Sequence, residues 1–178
     1  MKYSEMRQKI KSGDLIAFTT PSWESFDSSL SQMVRIFTKS EYSHVGIAWV
    51  INGRVFLLEA YPPRVRIFPL SLKGNFFHIP NKNILEGKNL DFALDQIGDK
   101  YSVWLAVKTF FKAPFGGDRE SWHCAVYSHE LLKRIGIELN EDCKTPSKLV
   151  FEMMKLGHSL NYIINERKIY EPIQNNIS

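Results

Sequence analysis

Residues 43–61 read SHVGIAWVINGRVFLLEAY, two runs rich in β-branched and aromatic residues on either side of Asn52-Gly53. Asn-Gly favours the positive backbone angles of a two-residue turn, so the stretch predicts a β-hairpin. With the turn at 52–53, Ile51 sits opposite Arg54. The register then counts back to Gly46 opposite Glu59 and His44 opposite Tyr61. Side chains alternate between faces, so His44, Gly46 and Ala48 share one face with Leu57, Glu59 and Tyr61. His44 and Glu59 become diagonal neighbours, roughly 7–8 Å apart at the backbone and within side-chain reach. Gly46, lacking a side chain, is expected to leave open space between them. A slip of one residue would move His44 to the other face.

The rest of the chain reads as strands early and helices late. A short amphipathic helix is expected at 4–11, then a buried strand at 14–18, a loop at 20–24 and a helix at 27–38. After the hairpin, Pro62-Pro63 breaks the chain before strands at 65–68 and 76–79. Leu90, Ala93, Leu94 and Ile97 predict a helix ended by Gly98. Residues 101–111 (YSVWLAVKTFF) read as a buried helix, and 112–120 as a loop. Ser121 is placed as the N-cap of a helix running to Ile135, with Gly136 past its end. Thr145-Pro146 opens another helix ending at Gly157, and 161–165 is a final strand. With no repeat or linker in 178 residues, the expectation is one α+β domain over 1–178.

Charge and composition narrow the function classes. The net charge of +4 comes from 23 basic and 19 acidic residues, scattered along the chain, which argues against nucleic acid. No apolar run approaches the length of a membrane span, and the first residues lack an apolar signal core. The protein is therefore expected to be cytoplasmic, or delivered by another route such as phage encoding, and to be a monomer. Two cysteines, Cys124 and Cys143, do not make a disulfide scaffold.

Cys124 falls in the first turn of the 121–135 helix. Unpaired N–H groups and the helix dipole there favour a thiolate, and the same N–H groups could hold an oxyanion. The competing reading is an inert core cysteine, a common fate for this residue. A cysteine at a helix start, together with a histidine and a carboxylate on one sheet face, forms the parts list of a thiol hydrolase. His123 and His129 are read as structural or rim residues, because successive helical residues point about 100° apart. Cys143, beside acidic residues, reads as a bystander with a raised pKa. A zinc site is not supported, since no paired C-x-x-C spacing occurs. No cofactor is implied. His78 and His158 have no evident partner, and Asp14 is assigned to the fold.

The order GDLIAF (13–18), SHVGIAWV (43–50), LLEAY (57–61) and WHCAVYSHELL (122–132) resembles that of circularly permuted papain-like hydrolases of the NlpC type, nearest the YiiX/YebB-like branch. Lesser echoes are LSQMVRIFTKSEY before the histidine, GDKYSVW before the cysteine and KTPSKL after it. The likeness covers about residues 12–150. It implies a helix bearing the cysteine packed on a small antiparallel sheet bearing the histidine. Carried over, Cys124 is the nucleophile, His44 the general base and Glu59 the residue that orients the imidazole. Tyr101 resembles a site-lining tyrosine. Where relatives often have Ser then Glu after the cysteine, this chain has Ala125-Val126, and neither the export signal nor the wall-binding module of secreted relatives is expected in it.

Three readings follow. The first is a cysteine amidase or peptidase acting through a thioester on peptide or peptidoglycan-fragment amides. The second keeps the residues but moves acyl chains between lipids, in the manner of lecithin:retinol acyltransferase-like folds; the apolar stretch 103–111 would suit a lipid partner. The third is a binding module with a silent triad.

Overall fold

The computed structural model describes residues 1–19, 41–102 and 121–166. The loop expected at 20–24, the helix at 27–38, the continuation of the 101–111 helix beyond residue 102 and the loop at 112–120 lie outside these residues.

The Asn52-Gly53 turn forms as its chemistry demands, with φ of 49° and 70° at the two positions. It joins β2 (His44–Ile51) to β3 (Arg54–Tyr61), and Ile51 pairs with Arg54. Pro62-Pro63 turns the chain from β3 into β4 (Arg64–Pro69), where Tyr61 pairs with Arg64 and Glu59 with Arg66. On the other side of the hairpin, β1 (Leu15–Phe18) pairs with β2, and β5 (Phe76–Ile79) pairs with β1. Two-residue strands β6 (Lys100–Tyr101) and β7 (Ser121–Trp122), with β8 (Asn161–Ile163), bring the sheet to eight strands among the described residues, in the order β7-β6-β4-β3-β2-β1-β5-β8. All neighbours are antiparallel except β6 and β7.

Four helices accompany this sheet among the described residues: α1 (Tyr3–Met6), α2 (Gly87–Asp95), α3 (Cys124–Arg134) and α4 (Pro146–Lys155). Helix α4 begins as the sequence suggests. Thr145 caps it by accepting from the Lys148 N–H, and Pro146 takes the first position. Both α3 and α4 end in a glycine of positive φ, Gly136 and Gly157. The N–H groups of Gly136 and Ile137 bond back to Lys133 and Leu132, and those of Gly157 and His158 to Met154 and Met153. This is the paired closure of a Schellman motif.

The sheet has a core on each face. Leu15, Ala17, Val45, Ile47, Leu58 and Ala60 pack with α3 and α4. Their alternating neighbours Ile16, Phe18, Ala48 and Leu57 pack with α1 and Leu70. All four residues of β1 are buried, as befits a strand covered on both sides.

Several expectations are corrected. Helix α1 covers only Tyr3–Met6 rather than 4–11, because a turn at Lys11–Asp14 redirects the chain into β1. Tyr101 begins no helix; its N–H donates to the Pro63 carbonyl, making it a strand residue. Ser121 is likewise strand, and the N-cap of α3 is His123, with extended φ and ψ of −125° and 164°. The space beside Gly46 is closed rather than open. A Cβ there would lie 2.8 Å from a Leu57 methyl carbon and 2.9 Å from the Leu58 carbonyl.

Candidate active site

The β2–β3 ladder runs from Ile51–Arg54 to Ile47–Leu58. Beyond that point β2 stays paired with β1 through His44, and β3 stays paired with β4 through Tyr61. The expected pairs Gly46–Glu59 and His44–Tyr61 are not part of the ladder. The hairpin forks at the end that carries His44 and Glu59.

Glu59 is fully buried, and its carboxylate gathers three cationic partners. His44 Nε2 lies 2.7 Å from Oε2. Lys73, just past a 3-10 turn at Leu70–Leu72, donates its Nζ to both oxygens at 2.9 Å. Arg66 donates from Nε and Nη2 to Oε1, each at 2.8 Å. Burial would push the Glu59 carboxyl up, but His44, Lys73 and Arg66 hold it down at about 2. Aromatic rings frame the cluster. The Arg66 guanidinium stacks 3.9 Å over Tyr61, and the Lys73 ammonium sits 4.7 Å from Phe68 and 4.9 Å from Tyr61. The His44 ring packs between Phe18 and Tyr61.

Cys124 is the first residue of α3, and it belongs to the core on the α3 face. By alternation His44 and Glu59 belong to the other face, with Ala48 and Leu57. The thiol and the imidazole meet where the hairpin forks, close enough for each to shift the other's titration. With Nε2 committed to Glu59, Nδ1 is the nitrogen left for the thiol. Burial pushes the Cys124 thiol up, but hydrogen bonds with His123 and His44, and their charge, outweigh it and bring the thiol down to about 6. Burial pushes His44 down, yet its bonds to Cys124 and Glu59 carry it up to about 9. Both shifts run in the direction of a thiolate beside an imidazolium.

The structure thus brings Cys124, His44 and Glu59 together, with His44 on the Glu59 carboxylate and in electrostatic reach of the thiol. Tyr101 stands beside them; burial, then the charge of Cys124, raises its hydroxyl pKa strongly. His123, expected to point away, instead bonds to the thiol from the extended N-cap position. The 100° argument fails because His123 is not helical. Arg66 and Lys73 were missed. Counting from Tyr61–Arg64 across the Pro62-Pro63 turn would have found Arg66 opposite Glu59, whereas nothing in the local pattern marks Lys73.

The remaining candidates lie elsewhere. His129 bonds to the Asn140 carbonyl and is lowered by burial. Cys143 is buried, and burial first, then Glu152, raises it. His158 Nδ1 lies 2.9 Å from the Pro80 carbonyl, and His78 pairs with Asp14, so both have partners after all. Among the described residues no three His, Cys, Asp or Glu side chains converge to hold a metal ion, and no helix is long and apolar enough to cross a membrane.

No protein-family model matches the chain, and no curated protein matches it. Among solved structures it is similar to one described as the crystal structure of metalloprotein yiiX from Escherichia coli O157:H7, DUF1105. The two are 19% identical, with a TM-score of 0.52, over 74% of this chain and 70% of that one. At that identity the likeness speaks for a shared α+β fold.

Proposed function

We propose that this chain is a cysteine hydrolase of the circularly permuted papain-like, NlpC type, cleaving amide bonds in peptidoglycan-type stem peptides. The observation that carries the reading is the chain of contacts from Cys124 at the start of α3, through His44, to the buried carboxylate of Glu59. A depressed thiol, an elevated imidazole and an ionised orienting group are the conditions that nucleophilic catalysis by cysteine requires.

In this mechanism the Cys124 thiolate attacks the amide carbonyl carbon, and the carbonyl electrons move to oxygen. N–H groups at the first turn of α3 face the developing oxyanion, aided by the helix dipole. The Tyr127 N–H is already bonded to the His123 carbonyl, which leaves this role to Cys124 through Val126. Protonated His44 gives its Nδ1 proton to the departing amine as the C–N bond breaks, leaving a thioester on Cys124. Neutral His44 then takes a proton from water, the hydroxide displaces the thiolate, and the acid is released. Glu59 keeps Nε2 protonated throughout. Tyr101 lines the thiol side of the site.

The test is a defined stem-peptide fragment incubated with the native chain and with Cys124→Ala. The native chain should release the amine and carry a thioester-linked acyl group on Cys124, visible by mass; the variant should do neither. Cleavage that persists in Cys124→Ala overturns the reading. Phospholipid offered in parallel separates the lipid alternative, which predicts acyl transfer without amide cleavage. Fragment binding unchanged in Cys124→Ala, with no turnover by the native chain, would instead mark a binding module.

A further inference from the structure

Glu59 holds more positive charge than the orientation of one imidazole requires. Lys73 and Arg66 both contact it, and their contacts are not equivalent. Arg66 places both of its donors on Oε1. Lys73 reaches Oε1 and also Oε2, the oxygen that His44 Nε2 approaches at 2.7 Å. Lys73 and His44 therefore share an acceptor, while Arg66 stands on the far oxygen. The Lys73 side chain is 5% exposed and that of Arg66 36%, so the shared contact is also the less screened.

We propose that Lys73 is a positioning residue for the Cys124–His44 pair, dividing Glu59 Oε2 with the imidazole and so limiting how tightly the imidazolium is held. The inference rests on the thiol-hydrolase reading above. A general acid must release its proton to the departing amine, and an imidazolium bound too firmly by its carboxylate does this poorly. A buried ammonium on the same oxygen weakens that hold in two ways. It competes for the oxygen's lone pairs, and it repels the imidazolium charge. Lys73 also keeps Glu59 ionised, so the tautomer of His44 stays fixed when the imidazole is neutral.

The groups facing His44 can be enumerated from each neighbouring element. Glu59 and Tyr61 come from β3, Arg66 from β4, Lys73 from beyond the 3-10 turn, and Cys124 from α3, with His123 and Tyr101 beside the thiol. Phe18 of β1 adds no charge. Among these described groups Lys73 alone shares the oxygen used by the imidazole.

The experiment uses the full chain with labelled histidine. His44 is followed by NMR across pH and assigned through His44→Ala, while Cys124 alkylation by iodoacetamide is followed in parallel by peptide mass. In Lys73→Met the alkaline transition of His44 should rise by about one pH unit, because a cation at this range disfavours the imidazolium by that order. The acid limb of Cys124 alkylation should move little, since the imidazole is already protonated there. Lys73→Arg should restore the native transition, and Arg66→Gln should shift it less than Lys73→Met does. A His44 transition that stays or falls in folded Lys73→Met overturns the proposal. Should the methionine variant fail to fold, a full-unit shift in Arg66→Gln overturns it equally, and a smaller one supports it. If native Cys124 titrates like a free thiol, the hydrolase reading itself has failed. If the native pair is present and Lys73→Met leaves His44 unmoved, only the role of Lys73 has.

Discussion

Two histidine–carboxylate pairs of the same length occur among the described residues. His44 and Glu59 approach to 2.7 Å at the forked end of the hairpin, and His78 and Asp14 approach to 2.7 Å between β5 and the start of β1. The difference lies in what else each pair touches. Asp14 also accepts from the backbone N–H groups of Lys11 and Asn81, so it ties two turns to the sheet. Glu59 accepts from the side chains of Lys73 and Arg66. The second nitrogen of His44 meets a thiol, whereas Nδ1 of His78 is buried without a hydrogen-bond partner among the described residues. An imidazole on a carboxylate is therefore not in itself a mark of chemistry. The partner of the other ring nitrogen is what sets the proposed catalytic pair apart.

Removing each imidazole in turn should affect the thiol very differently at the two pairs. His44→Ala should move the acid limb of Cys124 alkylation from about 6 towards the free-thiol value of about 8.5, held part of the way by His123. Turnover should fall by roughly 10³-fold or more. His78→Ala should leave the limb in place in the folded protein. Equal displacement by both substitutions would mean that the two pairs are one electrostatic system, and the contrast would be lost.

The carboxylates sharpen the contrast through stability. Asp14→Ala should lower unfolding free energy in urea by about 3 kcal/mol, because it strands His78 and two backbone donors, with no effect on the Cys124 profile. Glu59 carries a pH signature of its own. Its folded pKa of about 2 lies below the unfolded value of about 4.3, so its contribution is complete above the unfolded pKa and is lost as pH falls through the folded one. The difference corresponds to about 3 kcal/mol. Urea titrations should show native stability declining between about pH 5 and pH 2, and Glu59→Gln should remove that part of the decline. An acid slope unchanged in Glu59→Gln would mean that Glu59 is no better held than a carboxylate in the unfolded chain.

The same contrast explains what could be read from the sequence. Turn chemistry at Asn52-Gly53 is local, so the hairpin register, and with it the approach of His44 to Glu59, followed from a few residues. Cys124 at a helix start was legible because Gly136 and the apolar spacing bracket α3. The fork in the hairpin was not legible. It depends on β1 and β4 continuing to pair outward while β2 and β3 part, which is a property of the whole sheet. Asp14–His78 was hidden for the same reason, since 64 residues separate partners that only the β1–β5 pairing unites. Lys73 enters from a 3-10 turn whose sequence carries no periodic signal.

A second orphaned polar atom lies on the other side of the sheet. Ser128 lies one turn beyond Cys124 on α3, fully buried, with Oγ lacking a partner among the described residues. A buried hydroxyl left unpaired opposes folding, and alanine is the better helix former. Ser128→Ala should therefore raise unfolding free energy by about 1 kcal/mol and leave the Cys124 limb near 6. A displaced limb would bring Ser128 into the charge balance of the thiolate. The boundary of the site would then reach one turn down α3, and the orphaned atom there would differ in kind from Nδ1 of His78.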